Sequence, residues 1–244
     1  MNIIVCDSYD ELSESAAKIV AKQVNEKADC VLGLATGSTP VGMYNVLAKK
    51  NKAGEVDFSR VRSVNLDEYY PISPDNPQSY HYFMKENLFS KINIDMANTH
   101  ILDGMCKDAE AECERFERLI ESLGGIDLQI LGIGQNGHIG FNEPDSSLNS
   151  RTHLTKLTEN TISANSRFFD DISEVPTMAL TMGIGTILAA RKIVLLANGA
   201  AKRNAVSELL DNSITTESPA SMLKVHKNVI LICDRDAYPD GANA

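Results

Sequence analysis

No run of apolar residues in this chain approaches the ~20 needed to span a bilayer, which excludes a transmembrane helix. The first residues, Met1 to Asp7, lack a basic start, and their apolar run is too short for a secretory signal, so the expected location is cytoplasmic. Cysteine is scarce. The five are Cys6, Cys30, Cys106, Cys113 and Cys233, an odd number with no CxxC pair. That argues against a disulfide frame or a zinc knuckle and for free thiols in a reducing compartment. Positive charge is also short, with 23 Lys and Arg against 33 Asp and Glu, a net −10. A phosphate backbone needs a basic face, so nucleic acid is not the expected partner. A small anionic ligand would have to be caught by a few local donors against an unfavourable overall field. No HxxH or HxxxH spacing suggests a metal, no Gly-Lys-Ser/Thr follows a glycine turn, and no internal repeat or long linker appears.

What is present is an alternation of short apolar runs with amphipathic stretches. Strands are expected at Ile3–Cys6, Val31–Ala35, Val61–Leu66, Ile126–Ile133, Ile193–Ala197 and Val229–Cys233. Ser8, with Glu11 three residues on, predicts the capped start of a helix running to about Lys27. Further helices are expected at Val41–Lys50, Tyr80–Phe89, Ala109–Leu123, Ala201–Leu210 and ending at Thr186–Ala190. Such a pattern predicts a single 244-residue α/β domain with a mostly parallel sheet and helices on both faces. Ligands bind such sheets beyond the carboxyl ends of the strands. The least regular stretch, 142–169, reads as a lid or insertion, and the tail after Asp236 as frayed.

Three segments that follow strands carry chemistry. In VLGLATGSTP (Val31–Pro40), Thr36, Gly37, Ser38 and Thr39 form a tight turn, with Pro40 at the first helical position. A helix start offers unpaired N–H groups to a phosphate, though every α/β protein has capped turns of this kind. In VRSVNLDEYY (Val61–Tyr70), Asp67 follows the apolar run directly. A carboxylate desolvated at a sheet edge suits a general base, while Asp67 or Glu68 merely capping a turn is the plainer alternative. The third segment, LGIGQNGHIGFNEP (Leu131–Pro144), places Asn136, His138 and Glu143 close together on a glycine-rich loop. Its Gly132-x-Gly134-x-x-Gly137 matches a dinucleotide fingerprint only formally, since Pro144 arrives before a long helix can open. An imidazole with an orienting partner on its second nitrogen handles protons near neutral pH.

Together, ATGSTP, NLDEYY, LGIGQNGHIGFNEP, SRTH, ANSRFF and ALTMGIGT resemble, in order and over nearly the whole chain, the glucosamine-6-phosphate deaminase family. The resemblance implies a modified Rossmann-type fold and the conversion of glucosamine 6-phosphate to fructose 6-phosphate and ammonia, without metal or organic cofactor. It implies that Asp67 removes the C2 proton, that His138 opens the pyranose ring, and that Glu143 is the partner of His138. Asn136 stands where many members carry Asp, so Glu143 is expected to supply the charge. The resemblance further implies phosphate binding by Thr36, Gly37, Ser38 and Thr39, with Gly132 beside them, and by Lys202 and Arg167, the last riding on a lid at about 157–177. Lys202 makes independent sense, because it follows the strand Ile193–Ala197 at another helix start. His153 and Thr155 replace the Arg and Lys that larger, hexameric members use to bind an activator. A monomer or small homo-oligomer with weak or absent activation is therefore expected. The rivals are a 6-phosphogluconolactonase, which needs no enolising base, a sugar-phosphate sensor, which needs a DNA-binding domain, and a non-catalytic family member.

Overall fold

The computed structural model describes residues 1–158 and 176–239. The ten strands are β1 (Asn2–Cys6), β2 (Val31–Leu34), β3 (Arg62–Asn65), β4 (Asp67–Tyr70), β5 (Thr99–His100), β6 (Leu128–Gly132), β7 (His153–Lys156), β8 (Met178–Thr181), β9 (Ile193–Ala197) and β10 (Val229–Asp234). The α-helices are α1 (Tyr9–Glu26), α2 (Val41–Lys52), α3 (Tyr80–Asn87), α4 (Ala109–Ser122), α5 (Ile184–Leu188) and α6 (Arg203–Leu210). Seven strands form one sheet in the order β1-β10-β9-β6-β2-β3-β5, and every neighbouring pair in it is parallel. Its central strands read as mainly apolar runs because helices cover both faces, as in Ile193–Ala197, where all five residues are buried.

Local chemistry explains the boundaries. The Ser8 hydroxyl accepts from the Glu11 N–H at 3.2 Å, and Glu11 reaches back to the Asp7 N–H at 2.7 Å. That capping box lies one residue further out than the usual pairing, and such a cap stabilises a helix by about 1 kcal/mol. Along α1, Leu12, Ala16, Val20 and Val24 make one buried face, and full burial of a Leu or Val stabilises by about 1.5–3 kcal/mol. Pro40 is the N-cap of α2 rather than its first helical residue. The expected helix Ala201–Leu210 begins as a 3-10 turn, Ala200–Lys202, before α6. The tail stays packed past Asp236, since Ala237 is buried and donates its N–H to Asp234. Residues 240–244 lie outside the described residues.

The small second sheet, antiparallel in the order β4-β8-β7, is absent from the sequence reading. It begins directly at the end of β3, with only Leu66 between, and pairs Asp67 with Thr181 and Thr181 with His153. From β2 the chain winds outward through β3 and β5 on one side, and through β6, β9 and β10 on the other. The carboxyl ends of β2 and β6 therefore flank the point where the winding reverses, and a crevice forms there. Among the described residues no helix is long and apolar enough to cross a membrane.

Candidate active site

The turn after β2 opens into that crevice. Gly37 has φ +89°, a left-handed conformation that favours glycine, and a Cβ built there would meet nothing within 4 Å. The fully buried Tyr44 hydroxyl holds the Ala35 carbonyl at the start of the turn. The Tyr9 hydroxyl accepts from the Gly42 N–H at 2.8 Å and lies 3.0 Å from the carbonyl oxygens of Ser38 and Thr39. Thr39 donates to Asn198 Oδ1 at 2.7 Å, which ties the turn after β2 to the turn after β9, across β6. Lys202 follows in that second turn. Burial holds its ammonium below the usual lysine value, and among the described residues no carboxylate pairs with it. A desolvated, unpaired cation beside a glycine turn suits an anion.

Asp67 sits at the carboxyl edge, 6% exposed. Burial, and secondarily the neighbouring Glu68 charge, raise its carboxyl to about 8. Among the described residues no donor or cation reaches it. Glu68 is the opposite case. It is fully buried, yet accepts from the N–H groups of Tyr69, Tyr80 and His81 at 2.9, 2.8 and 3.0 Å. The two readings of this acidic pair thus separate: Glu68 caps the turn into α3, and Asp67 is left, among the described residues, without a hydrogen-bond donor.

On the loop after β6, His138 Nδ1 lies 2.8 Å from Asn136 Oδ1 and 3.3 Å from Glu143 Oε2, and the Asn136 amide donates to Glu143 Oε2 at 2.7 Å. The Asn136 N–H₂ must face the acceptor-only carboxylate, which turns Oδ1 toward the ring. Both groups at Nδ1 are acceptors, so the ring proton resides there and Nε2 carries the lone pair. Thr158 donates to the other Glu143 oxygen at 3.4 Å. A Cβ at Gly134 would lie 2.3 Å from the His138 ring, so only glycine leaves the imidazole its place.

The two halves meet at Gly140. A Cβ there would lie 3.7 Å from Asp67 Oδ2 and 2.9 Å from Thr181 Oγ1. Phe141 donates its N–H to Thr181 Oγ1 at 3.1 Å, and the Asn142 amide donates to the Met182 carbonyl at 2.8 Å. The loop is thereby fastened to β8, opposite Asp67. His138 precedes Gly140 by two residues, a Cα separation of at most about 7 Å, which keeps its part of the loop close to Asp67.

The family described as glucosamine-6-phosphate isomerases/6-phosphogluconolactonase matches residues 7–232. The chain belongs to that family. Glucosamine-6-phosphate deaminase of Halothermothrix orenii is 56% identical over 97% of this chain and 98% of its own. The Clostridium perfringens enzyme of the same name is 52% identical over 97% and 98%. A solved structure of a monomeric glucosamine-6-phosphate deaminase superposes with a TM-score of 0.95 at 47% identity, over 97% of this chain and 98% of that one. A 6-phosphogluconolactonase from Thermotoga maritima shares the fold, with a TM-score of 0.77 at 22% identity over 96% of this chain and 99% of that one.

Within this family member, the Thr39–Asn198 bond ties the turn Thr36–Thr39 to the turn that leads to Lys202, and Gly140 adjoins Asp67 on the loop that carries Asn136, His138 and Glu143. Gly132 ends β6 between them, and a Cβ there would meet nothing within 4 Å. Arg167 and most of the expected lid lie outside the described residues. Sequence reasoning missed an aromatic wall beside Asp67. The Tyr69 and Tyr80 rings lie 4.8 Å apart, Tyr69 and Phe141 5.8 Å, and Tyr80 and Phe141 6.1 Å and nearly parallel. The Tyr80 hydroxyl lies near the side chains of Tyr69 and Thr36, so the wall reaches from Asp67 toward the turn after β2. The local signal that could have found it is Ser79, whose hydroxyl caps α3 and sets Tyr80 at its start. A groove of about 540 Å³ lies between α4 and α5 near the amino ends of β6 and β9, away from these groups. Burial raises the Cys30 and Cys233 thiols to about 12, which suits packing and not nucleophilic attack. Among the described residues no group of three or more His, Cys, Asp or Glu could hold a metal ion.

Proposed function

We propose that this chain converts glucosamine 6-phosphate and water to fructose 6-phosphate and ammonia in the cytosol. The observation that carries the reading is Asp67, a buried carboxylate that no donor reaches among the described residues, beside the loop that holds His138. A lactonase has no need of such a base, and the deaminases named above resemble the whole chain.

In this reading the sugar phosphate rests on Thr36–Thr39 and Lys202, with Gly132 beside it and Arg167 as a further cation. His138 Nε2 takes the proton of the C1 hydroxyl and returns it to the ring oxygen, which opens the pyranose to an aldehyde. Asn136 and Glu143 hold Nδ1–H, and Glu143 supplies the negative charge that stabilises the imidazolium. Asp67 then removes the C2 proton, giving an enol-amine. Protonation at C1 moves the double bond to C2=N, water adds at C2, and ammonia leaves. Acid–base steps of this kind contribute about 10²–10⁴-fold each.

Incubation of the full chain with glucosamine 6-phosphate tests this: ammonia and fructose 6-phosphate should appear one to one. Hydrolysis of 6-phosphogluconolactone with no ammonia from the amino sugar would overturn it. Asn136→Asp is expected to keep kcat within about threefold and to change the pH profile modestly, because Glu143 already carries the charge at Nδ1. Loss of all activity in that variant would show that Asn136 does more than orient the ring.

The same reading extends to regulation. His153 and Thr155 stand on β7 in place of activator-binding cations, and the solved deaminase cited above is described as monomeric. Rates should rise hyperbolically with substrate whether or not N-acetylglucosamine 6-phosphate is present. Sigmoidal rates relieved by that compound would contradict this.

A further inference from the structure

Glu68 has no place in the chemistry above, yet it is the most completely enclosed acid next to the site. Adjacent residues of a strand point to opposite faces, so Glu68 turns away from the crevice that Asp67 faces. It is buried completely, and its contacts are donors: the N–H groups of Tyr69, Tyr80 and His81, and the His81 ring, with Nδ1 at 2.8 Å. The Glu68 carboxylate thus sits one residue from that of Asp67, which among the described residues accepts no hydrogen bond. We propose that Glu68 is a positioning residue: its hydrogen bonds fix the start of α3, so that Tyr80 closes the wall against which Asp67 is buried, and its carboxylate acts on the Asp67 carboxyl from the other face of β4.

The groups that bear on Asp67 are Glu68 and Tyr69 on β4, and Tyr80 on α3. The titratable group that bears on Glu68 from α3 is His81, whose side chain is 33% exposed. The raised Asp67 carboxyl has burial as its first cause and Glu68 as its second, so removing the Glu68 charge should lower Asp67 without returning it to an ordinary aspartate. The inference rests on the deaminase reading only for its effect on turnover, because the coupling itself is measurable without substrate.

The test follows the ¹³C carboxyl resonance of Asp67 against pH in the full chain, assigned by its loss in Asp67→Asn. In Glu68→Gln the midpoint should fall by about one pH unit, and the acid limb of kcat/KM should move with it while KM stays within about twofold. His81→Lys places a permanent cation on Glu68 and leaves its backbone hydrogen bonds intact. It should shift the midpoint in the same direction by less, and it decides the matter alone if Glu68→Gln does not fold. Midpoints within 0.2 of wild type in the folded variants would overturn the proposal and leave Glu68 as a helix cap. Shifted midpoints in a protein that releases no ammonia would support the coupling and refute the deaminase reading.

Discussion

Asp67→Asn is expected to lower kcat by at least about 10³-fold while KM changes by less than about threefold, with the melting temperature rising at alkaline pH. The kinetic half follows from the role of the group. The amide keeps the shape of the site and cannot take the C2 proton, whereas phosphate anchoring at Thr36–Thr39 and Lys202 is untouched. The stability half follows from the same burial that makes the group a base. An aspartate in the unfolded chain titrates near about 3.9, and in the folded protein burial raises Asp67 to about 8. The protein therefore has its full stability from this group below the unfolded value and loses it as pH rises through about 8. Asparagine carries no such penalty. Thermal unfolding of the two proteins should coincide near pH 4 and diverge by pH 9, with the variant more stable by about 2–4 °C for each kcal/mol recovered. A variant that turns over at the wild-type rate would remove Asp67 from the chemistry. One that melts no higher at pH 9 would show that the carboxylate is better solvated than its surroundings imply.

His138→Gln should lower kcat/KM by about 10²–10⁴-fold. A glutamine amide can still meet Asn136 and Glu143, but it has no lone-pair nitrogen to shuttle a proton between the C1 hydroxyl and the ring oxygen. Some turnover should persist, because the sugar opens slowly in water and Asp67 can act on the aldehyde that forms. Steady-state rates of ammonia release check this. Retention of more than about a tenth of the wild-type rate would mean that ring opening does not depend on the imidazole. A loss as deep as that of Asp67→Asn would mean that His138 also serves the enolisation step.

The sheet's central strands were legible because β2, β6 and β9 are buried on both faces and so read as mainly apolar runs, interrupted in β6 by the buried Gln129. The three chemical segments were legible for a related reason: in a parallel sheet, residues that directly follow apolar runs share one edge. Nothing local marked the small second sheet. Its strands DEYY and HLTK have no apolar alternation, and Asp67 pairs with Thr181, a partner far along the chain. The fastening of Gly140 and Phe141 beside Asp67 depends on that sheet and was invisible with it. So was the division of labour between Asp67 and Glu68, which arises because α3 presents its N–H groups to one carboxylate and not to the other. His138 and its partners were readable from spacing alone, since all three lie on one short loop. Arg167, by contrast, entered only through family resemblance.

A crystal structure of Asp67→Asn with glucosamine 6-phosphate bound tests the central claim most directly. The side-chain amide at position 67 should lie within about 3.5 Å of C2, and His138 Nε2 within hydrogen-bond distance of the ring oxygen or the C1 hydroxyl, with the phosphate seated on the turn Thr36–Thr39. A sugar held by that turn with C2 out of reach of position 67, or with the imidazole touching neither oxygen, would contradict the claim that these two side chains work on one hexose.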